Sequence, residues 1–299
     1  MIGISGRTRV CALIGDPVWH SLSPTIQNAA FEHLGLDYVY VAFNVSAENL
    51  EKAILGVRGL GIYGLNITMP HKISIIKYLD ILDESARRIG SVNTVLNRDE
   101  RLVGYTTDGV GALNALRYAG VDPSGKKIVI LGAGGASRAI SFTLAEYARE
   151  LIILNRTVER AVDLARNIRD ALGDLVNVKA GELADRNLER ELKDADILIN
   201  ATSIGMKPND SETPVRCDFL HSNLTVFDII YEPLETRLIR EARIAGAKTI
   251  DGLSMLIHQG AASFEIWTGM RAPVEVMKEA ALKKMREAEG YNRGMKDDW

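Results

Sequence analysis

The stretch Lys126–Ala139, KKIVILGAGGASRA, decides the fold, and the rest of the chain reads outward from it. Ile128–Leu131 is a continuous apolar run suited to a strand buried on both faces. Gly132, Ala133, Gly134 and Gly135 turn sharply out of it, and Ala136–Ala145 carries apolar spacing suited to a helix packing back on the sheet. Glycine has no Cβ, so an anion can sit against backbone N–H groups at a helix N-terminus, where the macrodipole favours negative charge. This is a dinucleotide-binding turn, with Ser137 where G-x-G-x-x-G places its third small residue.

The residues beyond the turn narrow the ligand. Glu150–Leu154 reads as a second strand and ends in Asn155, Arg156 and Thr157. An NAD-selecting chain would carry Asp or Glu here for the ribose 2′-hydroxyl. Arg156 and, a helical turn on, Arg160 instead suit a 2′-phosphate, which a guanidinium can fork and a carboxylate would repel. Taken alone, Arg156 reads equally as a surface arginine opening a helix. With the strand, the glycines and the spacing it points to NADP.

Length and charge bound the rest. At 299 residues the chain is long enough for two domains with separate cores. A net charge of −3 gives no bulk attraction to nucleic acid or to an acidic membrane. No apolar run approaches the roughly 20 residues of a membrane span, and Met1–Arg9 lacks the apolar core of a signal peptide. Cys11 and Cys217 stand far apart without metal-ligand spacing, so a reduced, cytoplasmic setting and no metal are expected. Gly290–Trp299 reads as a loose polar tail.

The chain shows two βα rhythms. In the first, strands are expected at Val10–Gly15, Tyr38–Val45 and Gly64–Ile67. Helices are expected at Pro24–Leu34 (Ser23 as N-cap), Ala47–Leu60, Ile73–Tyr78 and Glu84–Ile89. Thr94–Asn97 and Leu102–Thr106 read as a hairpin that interrupts this rhythm. The second rhythm has strands at Ile128–Leu131, Leu151–Leu154, Val176–Ala180, Ile197–Asn200, Val226–Ile229 and Lys248–Ile250. Helices alone come after these, at Leu253–Trp267 and Val274–Glu289, and cannot form a domain by themselves. The expected class is therefore α/β with two domains. A discontinuous first domain (1–108 plus 253–299) flanks a Rossmann-like domain with a parallel sheet (109–252).

Polar residues cluster where ligands of α/β proteins sit, beyond the carboxyl ends of strands. Ser21 and Ser23 flank Leu22 ahead of a helix N-terminus and can donate together to a carboxylate; Ser23 also reads as an ordinary cap. Asn66 and Thr68 alternate around Ile67 at a strand end, and Lys72 comes after Pro70 towards the ligand side. His71 reads as structural or solvated. Asn93 and Asp108 stand in the next polar stretches, and Lys72 facing Asp108 would form an acid/base pair; as a helix-opening residue Asp108 reads equally as a cap. In the second rhythm Thr202 lies on a loop suited to run along a cofactor, and Ile229 and Tyr231 end the next strand. Gly252 opens a helix on which Met255 and Gln259 share a face.

The motifs SLSP (21–24), NITMPHK (66–72), SVNT (91–94), GYTTDG (104–109), GAGGASRA (132–139), NRT (155–157), NATSIGM (200–206) and DGLSMLIHQ (251–259) together resemble the shikimate dehydrogenase family in order and over most of the chain. The resemblance implies reversible NADPH-dependent reduction of 3-dehydroshikimate to shikimate, on the route to chorismate and the aromatic amino acids. It implies Lys72 as the catalytic residue with Asp108 as its hydrogen-bonding partner. Substrate contacts would come from Ser21, Ser23, Asn66, Thr68, Asn93, Tyr231 and Gln259. NADP would be held by Gly132, Ala133, Gly134, Gly135, Ala136, Asn155, Arg156, Thr157, Val158, Glu159, Arg160, Thr202, Ile229, Gly252 and Met255. The implied partner is a small-molecule substrate, with a homodimer as a possible assembly. A quinate/shikimate dehydrogenase, which accepts one more ring hydroxyl, is the nearest alternative.

Overall fold

A computed structural model describes residues 3–173 and 176–294. The chain divides into two compact units, 1–107 with 260–299, and 108–259.

The first unit opens with strand β1 (Arg9–Gly15), helix α1 (Ser23–His33), strand β2 (Tyr38–Asn44), helix α2 (Leu50–Gly59) and strand β3 (Gly64–Ile67). After a 3-10 turn at Ser74–Tyr78 come strand β4 (Ile81–Leu82), helix α3 (Glu84–Ile89) and the hairpin of β5 (Thr94–Arg98) and β6 (Arg101–Tyr105). The sheet order is β2-β1-β3-β5-β6-β4. β1 pairs in parallel with β2 and β3, whereas β5 runs antiparallel to both β3 and β6. The hairpin turns on Asp99 (φ 52°) and Glu100 (φ 64°), both left-handed, as a two-residue turn matched to strand twist requires.

The second unit begins with α4 (Asp108–Tyr118) and continues β7 (Lys127–Leu131), α5 (Gly135–Ala145), β8 (Glu150–Asn155), α6 (Val158–Leu172), β9 (Val178–Glu182), α7 (Asp185–Leu192), β10 (Ile197–Asn200), β11 (Thr225–Asp228), α8 (Arg237–Ile244) and β12 (Lys248–Ile250). Its sheet is parallel throughout, in the order β12-β11-β10-β7-β8-β9. Read from β9, this is the doubly wound order 3-2-1-4-5-6, which reverses direction between β7 and β10. Ile128–Leu131 are fully buried, as a strand covered on both faces must be.

Helix α9 (Gly252–Thr268) gives its first two turns to the second unit and its remainder to the first, and α10 (Val274–Gly294) belongs to the first. The sequence reading ends the second domain at 252; the contacts carry it to Gln259, because Gly252 lies on the backbone of Ile229 and Ile230 and Gln259 lies on Gly111. Beyond Gly260, α9 is sewn into the first unit. Gln27 Nε2 donates to Gly260 O (2.9 Å) and the buried Trp267 Nε1 donates to Val95 O (3.0 Å).

Four local expectations change. Ser23 is the first residue of α1 and caps nothing; Leu22 is the N-cap residue, because the Ser23 side chain is drawn into the core. β9 starts two residues later than Val176, in the register that pairs Leu151 with Val178. β11 ends at Asp228, leaving Ile229 just outside it. Helix α10 runs to Gly294, so 290–294 are not a loose tail, since two glycines cost a lysine- and glutamate-rich helix only about 1 kcal/mol each; 295–299 lie outside the described residues.

Gly64 faces the Trp267 indole so closely that a Cβ would lie 2.6 Å from Nε1. Gly64→Ala should therefore lower unfolding free energy by about 1–3 kcal/mol, the usual cost of overpacking. Urea titration monitored by tryptophan fluorescence measures this directly.

Candidate functional site

In the first unit the polar candidates lie along a buried hydrogen-bonded seam. Ser21 Oγ accepts from Ser23 N (3.2 Å), and Ser23 is buried, as is the Tyr40 phenol, whose pKa burial pushes well up. Tyr40 donates to Asn66 Oδ1 (2.8 Å). Asn66 Nδ2 faces Asn93 O (3.1 Å), Thr94 Oγ1 (3.2 Å) and Ser263 Oγ (2.9 Å). Thr94 and Ser263 hydroxyls meet at 2.7 Å. Thr107 then closes on Asn93, its N donating to Oδ1 (2.7 Å) and its Oγ1 accepting from Nδ2 (2.9 Å). Asn66 thus has both ends of its amide engaged within the unit.

The loop after β3 is held at every step. Thr68 N donates to Ile14 O (3.0 Å) and His71 N to Thr68 O (2.9 Å). The buried His71 ring places Nε2 2.6 Å from Val45 O, so Nε2 carries the proton. Lys72 O accepts from Val92 N (2.8 Å), which fixes the lysine backbone one residue from Asn93. Thr68 and Lys72 are half-buried, so their side chains retain access to solvent. Gly15 is required beside them: a Cβ would lie 2.2 Å from Thr68 Cγ2.

In the second unit the glycine turn emerges from β7 at the β7/β10 reversal, the crevice where such folds take ligands. Gly132 has φ 105°, and a Cβ there would lie 2.7 Å from Ala201 O. Gly134 caps α5 with no side chain and is exposed, with open space where its Cβ would be. The first N–H groups of α5 therefore face outwards without a side-chain acceptor. Ser137 is fully buried, and its Oγ donates to Gly132 O (2.6 Å), so the atypical serine braces the turn. At the end of β8, Asn155 Nδ2 donates to Thr157 O (2.8 Å). Arg156 and Arg160 are exposed, and among the described residues no carboxylate pairs with either. Val158 and Glu159 open α6 between them.

The remaining second-unit candidates sit on two stitched loops. Asn200 Oδ1 accepts from Thr202 N (3.1 Å) and Thr202 Oγ1 (2.7 Å), and its Nδ2 donates to Asp228 Oδ1 (3.0 Å). Asp228 is completely buried, and desolvation pushes its pKa up to about 6 against the hydrogen bonds it accepts. Burial likewise raises the half-buried Tyr231 phenol, with the Glu232 charge adding to the shift. Met255 is buried, whereas Gln259 is half-buried with Nε2 on Leu256 O (3.0 Å). Asp108 is buried at the start of α4. A cavity of about 450 Å³ lined by Asp185, Thr213, Arg216 and Arg237 contains none of these candidates, and its guanidiniums are paired with Asp218 and Glu241.

The sequence reading assigns no role to Tyr40, Thr107, Ser263 or Thr236. Only Ser263 left a local signal, continuing the four-residue spacing of Met255 and Gln259. Among the described residues no three His, Cys, Asp or Glu side chains are grouped to hold a metal, and no helix is long and apolar enough to cross a membrane.

Comparison with known proteins covers most of the chain. A family model for the shikimate dehydrogenase substrate binding domain matches residues 13–95, one for shikimate/quinate 5-dehydrogenase matches 115–229, and one for the shikimate 5′-dehydrogenase C-terminal domain matches 252–282. The chain is 51% identical over 288 residues to the shikimate dehydrogenase (NADP(+)) of Methanopyrus kandleri, covering 95% of this chain and 99% of that one. A crystal structure of a shikimate dehydrogenase in complex with NADP+ is 48% identical with TM-score 0.88, covering 94% and 97% of the two chains. That of Thermus thermophilus in complex with NADP(H) and shikimate is 37% identical with TM-score 0.83, covering 92% and 99%.

The raised pKa of Asp228 has a measurable sign. A carboxyl that binds its proton more tightly when folded contributes stability at low pH that is lost as pH rises from its unfolded value towards about 6. The unfolding free energy of wild type relative to Asp228→Asn should therefore fall by about 2 kcal/mol between pH 4 and pH 7. Urea titrations of both proteins at these two pH values would show it.

Proposed function

The chain belongs to the shikimate dehydrogenase family, and from that premise we propose that it is an NADP-dependent shikimate dehydrogenase, interconverting 3-dehydroshikimate and shikimate. The observation that carries this reading is the first unit's seam of hydroxyls and amides, tied through Val92 to the backbone of a half-buried Lys72. Such a group of neutral donors beside one cation suits a small polyhydroxylated carboxylate.

The second unit fits the cofactor. Gly132–Ala136 offer a turn without obstructing side chains at a helix N-terminus, which suits a pyrophosphate. Arg156 and Arg160, exposed and free of carboxylates among the described residues, suit a 2′-phosphate, with Asn155 and Thr157 shaping the loop that carries them. Thr202, Ile229, Gly252 and Met255 complete the proposed set. NADPH, when bound, supplies the hydride.

The chain's own residues do the rest. Ser21 and Ser23 hydroxyls donate to the substrate carboxylate. Thr68, Asn93 and Gln259 hold ring hydroxyls, and the neutral Tyr231 phenol donates to the substrate. Asn66 acts from behind, orienting Asn93 and Thr94 through the seam. A protonated Lys72 stabilises the negative charge that grows on the carbonyl oxygen during reduction and gives that oxygen its proton; Asp108 shares this proton step. In the oxidative direction Lys72 takes the proton back. With Cys11 and Cys217 free thiols, a reducing cytoplasm is the proposed setting.

The test monitors the absorbance of reduced nicotinamide with shikimate or quinate and with NADP+ or NAD+. Turnover should require shikimate and NADP+. Comparable rates with quinate would widen the substrate class, and none with either acid would sink the reading. Lys72→Ala should lower kcat by about 10²–10⁴-fold, the usual worth of a positioned acid, with the NADP+ dissociation constant unchanged; collapse of cofactor binding would remove Lys72 from the proton step. Arg156→Ala should weaken NADP+ by about tenfold or more, as loss of a charge-assisted bond implies, while leaving NAD+ as it was. Equal losses for both cofactors would refute the 2′-phosphate contact.

A further inference from the structure

Two loops leave the carboxyl end of the second unit's sheet, 201–206 after β10 and 229–236 after β11, and one fully buried carboxylate bonds the second directly and the first through Asn200. Asp228 Oδ1 accepts from Asn200 Nδ2 (3.0 Å) and Ile230 N (3.1 Å), and Oδ2 accepts from Thr236 Oγ1 (2.7 Å). Asn200 passes the connection on: its Oδ1 holds Thr202 through N and Oγ1, and its Nδ2 also faces Ile204 O (3.3 Å). Thr236 accepts from Ile239 N (3.3 Å), so the same carboxylate steadies the start of α8.

The packing around this cluster leaves little slack. Gly205 has φ 98°, a conformation that favours glycine, and Gly252 lies so close to Ile230 that a Cβ would sit 2.3 Å from its carbonyl. Lys207 N donates to Glu232 O (3.3 Å), and the Lys207 ammonium stands 3.6 Å from the Glu232 carboxylate. Thr202, Ile229 and Tyr231 all lie on segments that Asp228 holds.

We propose that Asp228 is the positioning residue that couples these two loops, so that Thr202 and Ile229 on the cofactor side and the Tyr231 hydroxyl are set in place together. The proposal rests on the NADP and substrate roles given above to those three residues. Asp228 touches none of the reacting atoms. It acts through Asn200 on one loop and through Ile230 and Thr236 on the other. Keeping a carboxylate in this dry position raises its pKa, which is the cost expected when three donors must be gathered on one side chain.

The test compares wild type, Asp228→Ala, Asp228→Asn and Thr236→Val by hydrogen exchange without ligand, by NADP+ titration and by steady-state kinetics. Asp228→Ala should raise exchange in peptides covering 200–206 and 229–236 alike, while β7 and β8 keep their protection. It should weaken NADP+ by about tenfold or more and raise the shikimate KM, in enzyme whose cofactor-competent fraction is fixed by titration. Asp228→Asn still accepts from Asn200 and Ile230 through one oxygen and should stay within about threefold of wild type in NADP+ affinity. Thr236→Val should loosen 229–236 and raise the shikimate KM. Loosening of 229–236 alone in Asp228→Ala would overturn the coupling. Uniform loosening of the sheet, or reduced kcat with unaltered NADP+ and shikimate constants, would reduce Asp228 to a structural residue. The exchange experiment needs no ligand, so it judges the coupling even if wild type turned over neither shikimate nor quinate.

Discussion

A polar side chain placed in the dry end of a sheet must find all its hydrogen-bond partners, because each one missing costs about 1–3 kcal/mol. Both units are built around that requirement. In the first, Asn66 near the end of β3 gives its amide to Tyr40, Asn93, Thr94 and Ser263. In the second, Asn200 at the end of β10 gives its amide to Thr202, Ile204 and Asp228. Each asparagine converts a strand end, rigid through its ladder, into a fixed origin for the loops that carry the proposed ligand contacts.

Charge is used differently at the two ends of β7. At its start, Lys127 is buried to 5% exposure; burial lowers its pKa, but Asp194 and Glu191 outweigh this and hold it above the ordinary value. At the other end the glycine turn carries no charged side chain, and the nearby strand β8 leads to Arg156 and Arg160, exposed and free of carboxylates among the described residues. A cation meant for the fold is matched inside the protein. A cation meant for a phosphate is left for the ligand to match, since an existing carboxylate partner would have to be displaced first.

This division explains how much of the molecule is legible in its sequence. The turn at Gly132–Gly135 and the arginine at 156 are local signals: one residue type, one backbone demand, one spacing. They place the second unit's sheet and its proposed cofactor. Ser23 misleads because a serine before Pro24 looks like a cap, while the burial that makes it the first helical residue instead depends on packing against distant parts of the chain. Ser263 lies about two hundred residues from Asn66, and nothing short-range announces that their side chains meet at 2.9 Å. The strand Val178–Glu182 starts two residues beyond its expected place for the same reason: its limits are set by register against β8, not by its own composition. Ser137 shows the reverse case, a local departure from the motif whose purpose only the bond to Gly132 O reveals.

The choice of amide at 200 and carboxylate at 228 is dictated by the groups the two loops present. The loop after β10 offers two donors, Thr202 N and Oγ1, and one acceptor, Ile204 O. Only a side chain with an oxygen and an NH₂ group meets both needs, which is asparagine at this length. The loop after β11 presents Ile230 N and the Thr236 hydroxyl as donors, and an aspartate accepts one on each oxygen. The amide's second donor direction then points at the carboxylate's spare lone pair, and the two side chains complete each other at 3.0 Å. Exchanging them would leave Ile204 O without its donor. A carboxylate at both positions would place two negative charges in contact within the core. The pair is therefore directional, and its direction is set by the loops it joins.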